Sequence, residues 1–161
     1  MIFLLYTKNN ILKGGNKKHG GITKEMTEKL ISASEYEEFY QNNQNNFIEL
    51  SLSEYLIQLM EKRNMTIAQI ARLSDTGDYI YKLIRGKKKN PSRDVLIRIS
   101  IGMSLEEDEI NKLMRINHFH ELDARDKRDA VIIFSLNKSF NLPKVNEMLY
   151  ELNLKTLDKD N

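Results

Sequence analysis

The chain has 161 residues, a net charge of +2 and no cysteine, which suits one domain of ordinary size or a small domain with extensions. Lack of cysteine excludes a disulfide framework and a thiolate metal site. The opening Ile2-Phe3-Leu4-Leu5-Tyr6 run is shorter than the roughly 7–15 apolar residues of a signal peptide or the about 20 of a membrane span, so the expectation is a soluble, cytoplasmic protein with no membrane partner.

Residues 1–22 hold Asn9-Asn10, Gly14-Gly15 and Gly20-Gly21 among lysines, a composition that favours no stable structure. They are read as a disordered stretch or as leader upstream of a true start at Met26, with a basic arm for a DNA groove as the alternative. Thr23 to about Tyr40 is helix-like: Met26, Leu30, Ala33 and Tyr36-Phe39-Tyr40 form a stripe, and Ser34-x-x-Glu37 restarts the helix. Gln41 to Asn46 is a polar linker, which closes an N-terminal region of residues 23–46.

Five helices follow over 47–116. Ser51-x-x-Glu54 is a capping box; it opens the first, which turns Tyr55, Leu56, Leu59 and Met60 inward and stops near Asn64. Thr66-x-x-Gln69 caps the second, with Ile67, Ile70 and small Ala71 on one face. Ser74-Asp75-Thr76-Gly77 carries turn chemistry. The third helix starts at about Thr76 and buries Ile80, Leu83 and Ile84, while Asp78, Tyr79, Lys82 and Arg85 face water and Gly86 is its left-handed stop. Tyr81 lies further round, towards partial burial. Ser92 caps the fourth helix, in which Val95, Leu96 and Ile99 point inward and Gly102 is the end. Ser104-x-x-Glu107 caps the fifth, with Glu106 to Glu109 in its first turn and Ile110, Leu113 and Met114 packing.

Residues 117–157 form a C-terminal extension. Ala130-Val131-Ile132-Ile133-Phe134 is apolar all round and has no partner strand, so it is assigned to a buried helix over Arg128–Asn137. Leu142 to Leu152 is a further helix, with Pro143 in its first turn and Val145, Leu149 and Leu152 inward. The pair extends the core or forms a dimer surface.

Residues 52–103 resemble the DNA-binding domain of the lambda-repressor and Cro (XRE-type) helix-turn-helix family. The matching residues are Ile70-Ala71, Tyr79-Ile80, Arg85-Gly86 and the trailing Lys87-Lys88-Lys89-Asn90-Pro91-Ser92. The resemblance implies an all-α, five-helix domain, here with a C-terminal helical pair and an N-terminal helix, whose third helix lies in the major groove. The chain departs from the family pattern at Ile67, where glutamine is usual, at Ile84, where glutamate is frequent, and in a turn about one residue shorter.

Charge distribution agrees with that implication. Residues 79–98 carry seven cations against Asp94 alone, a local charge of +6; residues 1–24 carry +5, which leaves −9 for the remainder. A basic segment on an acidic chain is the footprint of a phosphate-facing surface.

No set of residues for catalysis stands out. His118-x-His120 lacks a third ligand, and two residues apart on a helix they point to different faces. Asp123, Asp126 and Asp129 alternate with Arg125, Lys127 and Arg128, as in capping and surface pairing. There is no Gly-x-Ser-x-Gly elbow and no phosphate loop after a strand. The reading is therefore a non-enzymatic, cofactor-free, sequence-specific transcriptional regulator that binds double-stranded DNA as a homodimer. Asp78, Tyr79 and Lys82 would meet bases or nearby phosphates. Thr66, Gln69, Thr76, Gly77, Arg85, Lys87, Lys88, Lys89 and Arg93 complete the contact set. The alternative is a helix-turn-helix fold whose surface holds a protein partner, as in an antitoxin or a kinase-associated adaptor; Asp75 and Asp78, whose carboxylates would repel phosphate, and Ile67 in place of the usual glutamine motivate it.

Overall fold

A computed structural model describes residues 20–44 and 50–158. Every regular element among them is a helix, in two compact units, residues 1–47 and 48–161. None of the described helices is long and apolar enough to cross a membrane.

The first unit holds α1 (Gly20–Ser32) and α2 (Tyr36–Asn43). The helix does break near Ser34, but the residue before α2 is Glu35, whose side chain makes no capping bond. The polar run expected to be linker begins as helix: Gln41 donates to Glu37 (2.9 Å) and buried Asn43 donates to the Phe39 carbonyl (2.8 Å). Phe39 is buried, with the Tyr36 ring centroid 6.4 Å away. The leader and basic-arm expectations fall, over residues 1–19, outside the described residues.

The second unit holds α3 (Leu52–Arg63), α4 (Ile67–Leu73), α5 (Tyr79–Ile84), α6 (Arg93–Gly102), α7 (Glu107–Ile116), α8 (Lys127–Asn137) and α9 (Leu142–Glu151). Both expected capping boxes are present, at Ser51/Glu54 and Thr66/Gln69. α5 packs on α3 and α4, α6 on α4, α7 and α9, and α8 on α9. Ile70, Ile80, Leu83, Leu96, Ile99, Ile110 and Leu113 lie in one buried cluster with Leu122, Ile132, Val145, Leu149 and Leu157. Residues 117–157 therefore share the core of the preceding helices, and no break in packing falls at 116.

Helix ends carry the main local departures. α3, α4, α6, α7, α8 and α9 are each followed by a non-glycine residue of positive φ: Asn64, Asp75, Ser104, His118, Ser139 and Asn153. Their left-handed turn lets amides reach back to the last carbonyls, as Leu105 reaches Ser100 (2.9 Å). Ser104 thus closes α6 and does not cap α7. Glu106 precedes α7, and its amide donates to Glu109 (2.9 Å). Gly102 is, as expected, the last residue of α6, but it is not a left-handed stop. A Cβ there would sit 2.8 Å from the Ser74 amide nitrogen, so the glycine lets α6 lie against the turn after α4. His118 and His120 follow α7, outside any helix. Leu152, expected inward, is 57% exposed just past the end of α9. Helix α8 is buried on one side only, since Phe134 is 47% exposed.

Four charged residues fasten α8 and the chain end to α6. Arg93 donates both guanidinium nitrogens to Asp129 (2.9 and 2.7 Å). Arg128 reaches Asp94 (2.8 Å) and the carbonyls of Lys155 (2.7 Å) and Thr156 (3.3 Å). Asp126 caps α8, accepting from the amides of Arg128 and Asp129.

Candidate nucleic-acid interface

The site forms around α5. Ile80, Leu83 and Ile84 follow at helical spacing and are buried against α3 and α4, which fixes which side of this short helix meets water. Ser53 donates its hydroxyl to the Ile84 carbonyl and so ties the last turn of α5 to α3. Gly86, at φ +66, then turns the chain, and the amides of Lys87 and Lys88 both return to the Lys82 carbonyl (2.9 and 3.1 Å). The basic loop is thereby held beside α5 by backbone bonds.

The turn between α4 and α5 is built on buried polar groups. Ser74 donates to the Ile70 carbonyl (2.6 Å), and its hydroxyl lies 2.8 Å from that of Thr76. Arg98, only 4% exposed, rises from α6 and donates through Nε to the Ser74 carbonyl (3.0 Å) and through Nη2 to the Asp75 carbonyl. Its Nη2 also lies 3.4 Å from the Asp75 carboxylate. A buried guanidinium under a loop satisfies carbonyls that no helix can reach.

The expected contact residues divide accordingly. Asp78, Lys82, Arg85, Lys87, Lys88 and Lys89 are all exposed, and the five cations join no ion pair among the described residues. Gly77 is exposed at φ +54. Thr66 and Gln69 are exposed, yet each is used in the cap: the Thr66 hydroxyl accepts from the Gln69 amide (3.2 Å) and Gln69 Oε1 accepts from the Thr66 amide (2.8 Å). Two residues of the expected set turn inward. Thr76 is 7% exposed and spends its hydroxyl on Ser74. Arg93 is bound bidentately to Asp129, which also raises its pKa. Arg98, counted in the basic run, is beneath the turn. The basic surface is therefore Lys82 to Lys89, shorter than the charge count suggested.

Tyr79 and Tyr81 are both half-buried against the core. Tyr79 lines a cleft of about 360 Å³ with Ser92, Asp94, Val95 and Asp158. Tyr81 lines a separate open hollow of about 390 Å³ with Asp78, Lys82, Arg85 and Lys87. The Arg85 guanidinium carbon lies 6.0 Å from the Tyr81 ring centroid, within cation–π range. Sequence reasoning favoured Tyr79 for contact with DNA and expected Tyr81 partly buried, as it is. The available signal for its place beside Arg85 was the four-residue spacing of Tyr81 and Arg85, which stacks them on one helical face.

Asp78 immediately precedes α5 and its side chain makes no capping bond. A carboxylate at a helix start is favoured by the macrodipole. No group of three or more histidine, aspartate or glutamate side chains placed to hold a metal ion occurs among the described residues.

Residues 56–110 match a protein-family model described as Helix-turn-helix. That span takes in most of α3, all of α4, α5 and α6, and the start of α7. Neither a curated protein nor a solved structure matches the chain. The middle of the chain is thus similar to a helix-turn-helix domain, with α4 and α5 as the two helices of the motif, and every regular element among the described residues is a helix.

Proposed function

We propose, from a helix-turn-helix domain over residues 56–110, that the protein is a sequence-specific DNA-binding transcriptional regulator and not an enzyme. Helix α5 enters the major groove of double-stranded DNA with its exposed face towards the bases. Lys87, Lys88 and Lys89 grip the backbone beside it, and Thr66 and Gln69 stand where the start of α4 meets phosphate. One such domain covers a short site, so two copies act on a palindrome. The observation that carries this reading is the row Lys82, Arg85, Lys87, Lys88 and Lys89 on and after the second helix of the motif, exposed and in no ion pair among the described residues.

Of the two carboxylates that argued for a protein partner instead, Asp75 lies against Arg98 and Asp78 suits a helix start. The protein-partner reading then keeps Ile67, where the family pattern has glutamine, as its remaining support. Selection of bound fragments from a random duplex pool with the purified chain tests the proposal directly and delivers the operator. A defined enriched sequence is expected. A chain that shifts no duplex at low salt while holding a stoichiometric protein partner overturns it.

A further inference from the structure

We propose that Arg85, drawn over the Tyr81 ring, reads a guanine and that Asp78 reads a cytosine, so that the bound site carries two G·C pairs about three steps apart. This rests on the DNA-binding reading above and adds the base chemistry to it.

The hollow on α5 joins groups of opposite sign. Arg85 and Lys82 line it, and so does Asp78, an exposed acidic residue. A hollow built for phosphate alone would not include a carboxylate. Base edges in the major groove offer both hydrogen-bond polarities: guanine presents two acceptors, O6 and N7, and cytosine presents an amino donor. The forked donors of arginine match the first, and a carboxylate matches the second. Adenine also has an amino group, but its N7 lone pair lies beside it and faces an approaching carboxylate unfavourably.

Tyr81 makes this arrangement specific. Its ring is half-buried against the core, so it is a fixed platform. Arg85 lies over that platform at 6.0 Å and makes no ion pair among the described residues. A free arginine loses much side-chain freedom when it binds a planar edge; one already drawn to the face of a ring loses less. Tyr81 is thus a positioning residue for Arg85. Asp78 and Arg85 are seven residues apart, roughly 10 Å along a helix at 1.5 Å per residue. Base pairs rise about 3.4 Å each, so the two readouts fall about three steps apart.

The test is duplex selection and competition binding with the full chain, its R85K, D78N, Y81F and Y81L variants, and duplexes altered one position at a time. The wild type should enrich guanine and cytosine at that spacing. R85K should lose about tenfold in preference at the guanine position, since a point charge cannot form the fork. Y81L should lose preference at that same position, while Y81F, which keeps the ring, should retain it. D78N should change preference at the cytosine position only. A wild type with a defined site whose R85K variant weakens all sequences alike would make Arg85 a phosphate contact and overturn the inference. So would a Y81L variant, folded by thermal melt, that keeps the full guanine preference. A wild type that binds no duplex at all would instead overturn the DNA reading beneath it.

Discussion

Arg98 is the residue on which the motif's geometry turns. It stands in an otherwise apolar run, Leu96-Ile97-Arg98-Ile99, and its burial supplies donors to the carbonyls of Ser74 and Asp75. Arg98→Ala leaves those carbonyls without partners and should lower stability by about 1–3 kcal/mol in urea denaturation; it should also weaken any DNA binding through the displaced turn. Gly102→Ala should cost a similar amount, about 1–3 kcal/mol, because its methyl meets the Ser74 backbone at 2.8 Å and backbone there cannot yield cheaply. Glu109 supplies a pH dependence. Burial by itself would raise its pKa, but hydrogen bonds from Arg63, Lys62 and the Glu106 amide outweigh that and hold it at about 2. A depressed carboxylate stabilises the fold above its unfolded pKa, and the contribution is lost as pH falls through the folded value. Stability should therefore drop between about pH 4.5 and about pH 2, and Glu109→Gln should flatten that part of a urea-midpoint profile. Tyr55, whose hydroxyl donates to the Glu109 carbonyl at 3.3 Å, is pushed up to about 12 by burial and by that carboxylate, so it stays neutral throughout.

Apolar spacing and capping chemistry are local, and for that reason α3, α4 and the buried side of α5 were legible in the sequence. Ser51/Glu54 and Thr66/Gln69 needed no distant residue to be understood. Helix ends were less evenly legible. Asn64 and Gly86 were read as stops and are left-handed ones, whereas Ser104 was taken for a cap and His118 for a helical residue, and Gly102, the last residue of α6, serves close approach. Arg93 and Thr76 were assigned to DNA because nothing within their own elements reveals Asp129, 36 residues away, or the buried hydroxyl of Ser74. The Arg93–Asp129 pair makes a prediction for α6 and α8. Asp129→Ala should destabilise by about 3 kcal/mol, since it strands a partly buried guanidinium, whereas joint replacement of both partners by apolar residues of similar volume should come close to neutral. Denaturation of the three variants separates these outcomes. On α5, Lys82→Ala should cost roughly 1–3 kcal/mol in operator binding and relax one position if the lysine meets a base, or weaken all sequences evenly if it meets a phosphate.

Taken across the molecule, the charge count reads differently once side chains are placed. Of seven cations between Tyr79 and Arg98, Arg93 and Arg98 are engaged internally, which leaves five for a polyanion. If each neutralises one phosphate, affinity should fall with salt at a log–log slope of about −4 to −5 per subunit. Binding titrations from low to moderate salt give that slope, and a flat response would remove the electrostatic basis of the proposal. Tertiary placement was the part hidden from the sequence here too: composition shows that a run is basic, not which of its members are already partnered.

The shared core has a practical consequence. Leu122, Ile132, Val145, Leu149 and Leu157 complete the apolar cluster that Leu96, Ile99 and Ile110 begin, and α9 packs on α6. A fragment trimmed to the family boundaries would bare that oily flank of α6 to solvent. Anyone grafting this motif onto another protein would have to carry the last forty-odd residues with it, because the motif and its buttress share one piece of hardware.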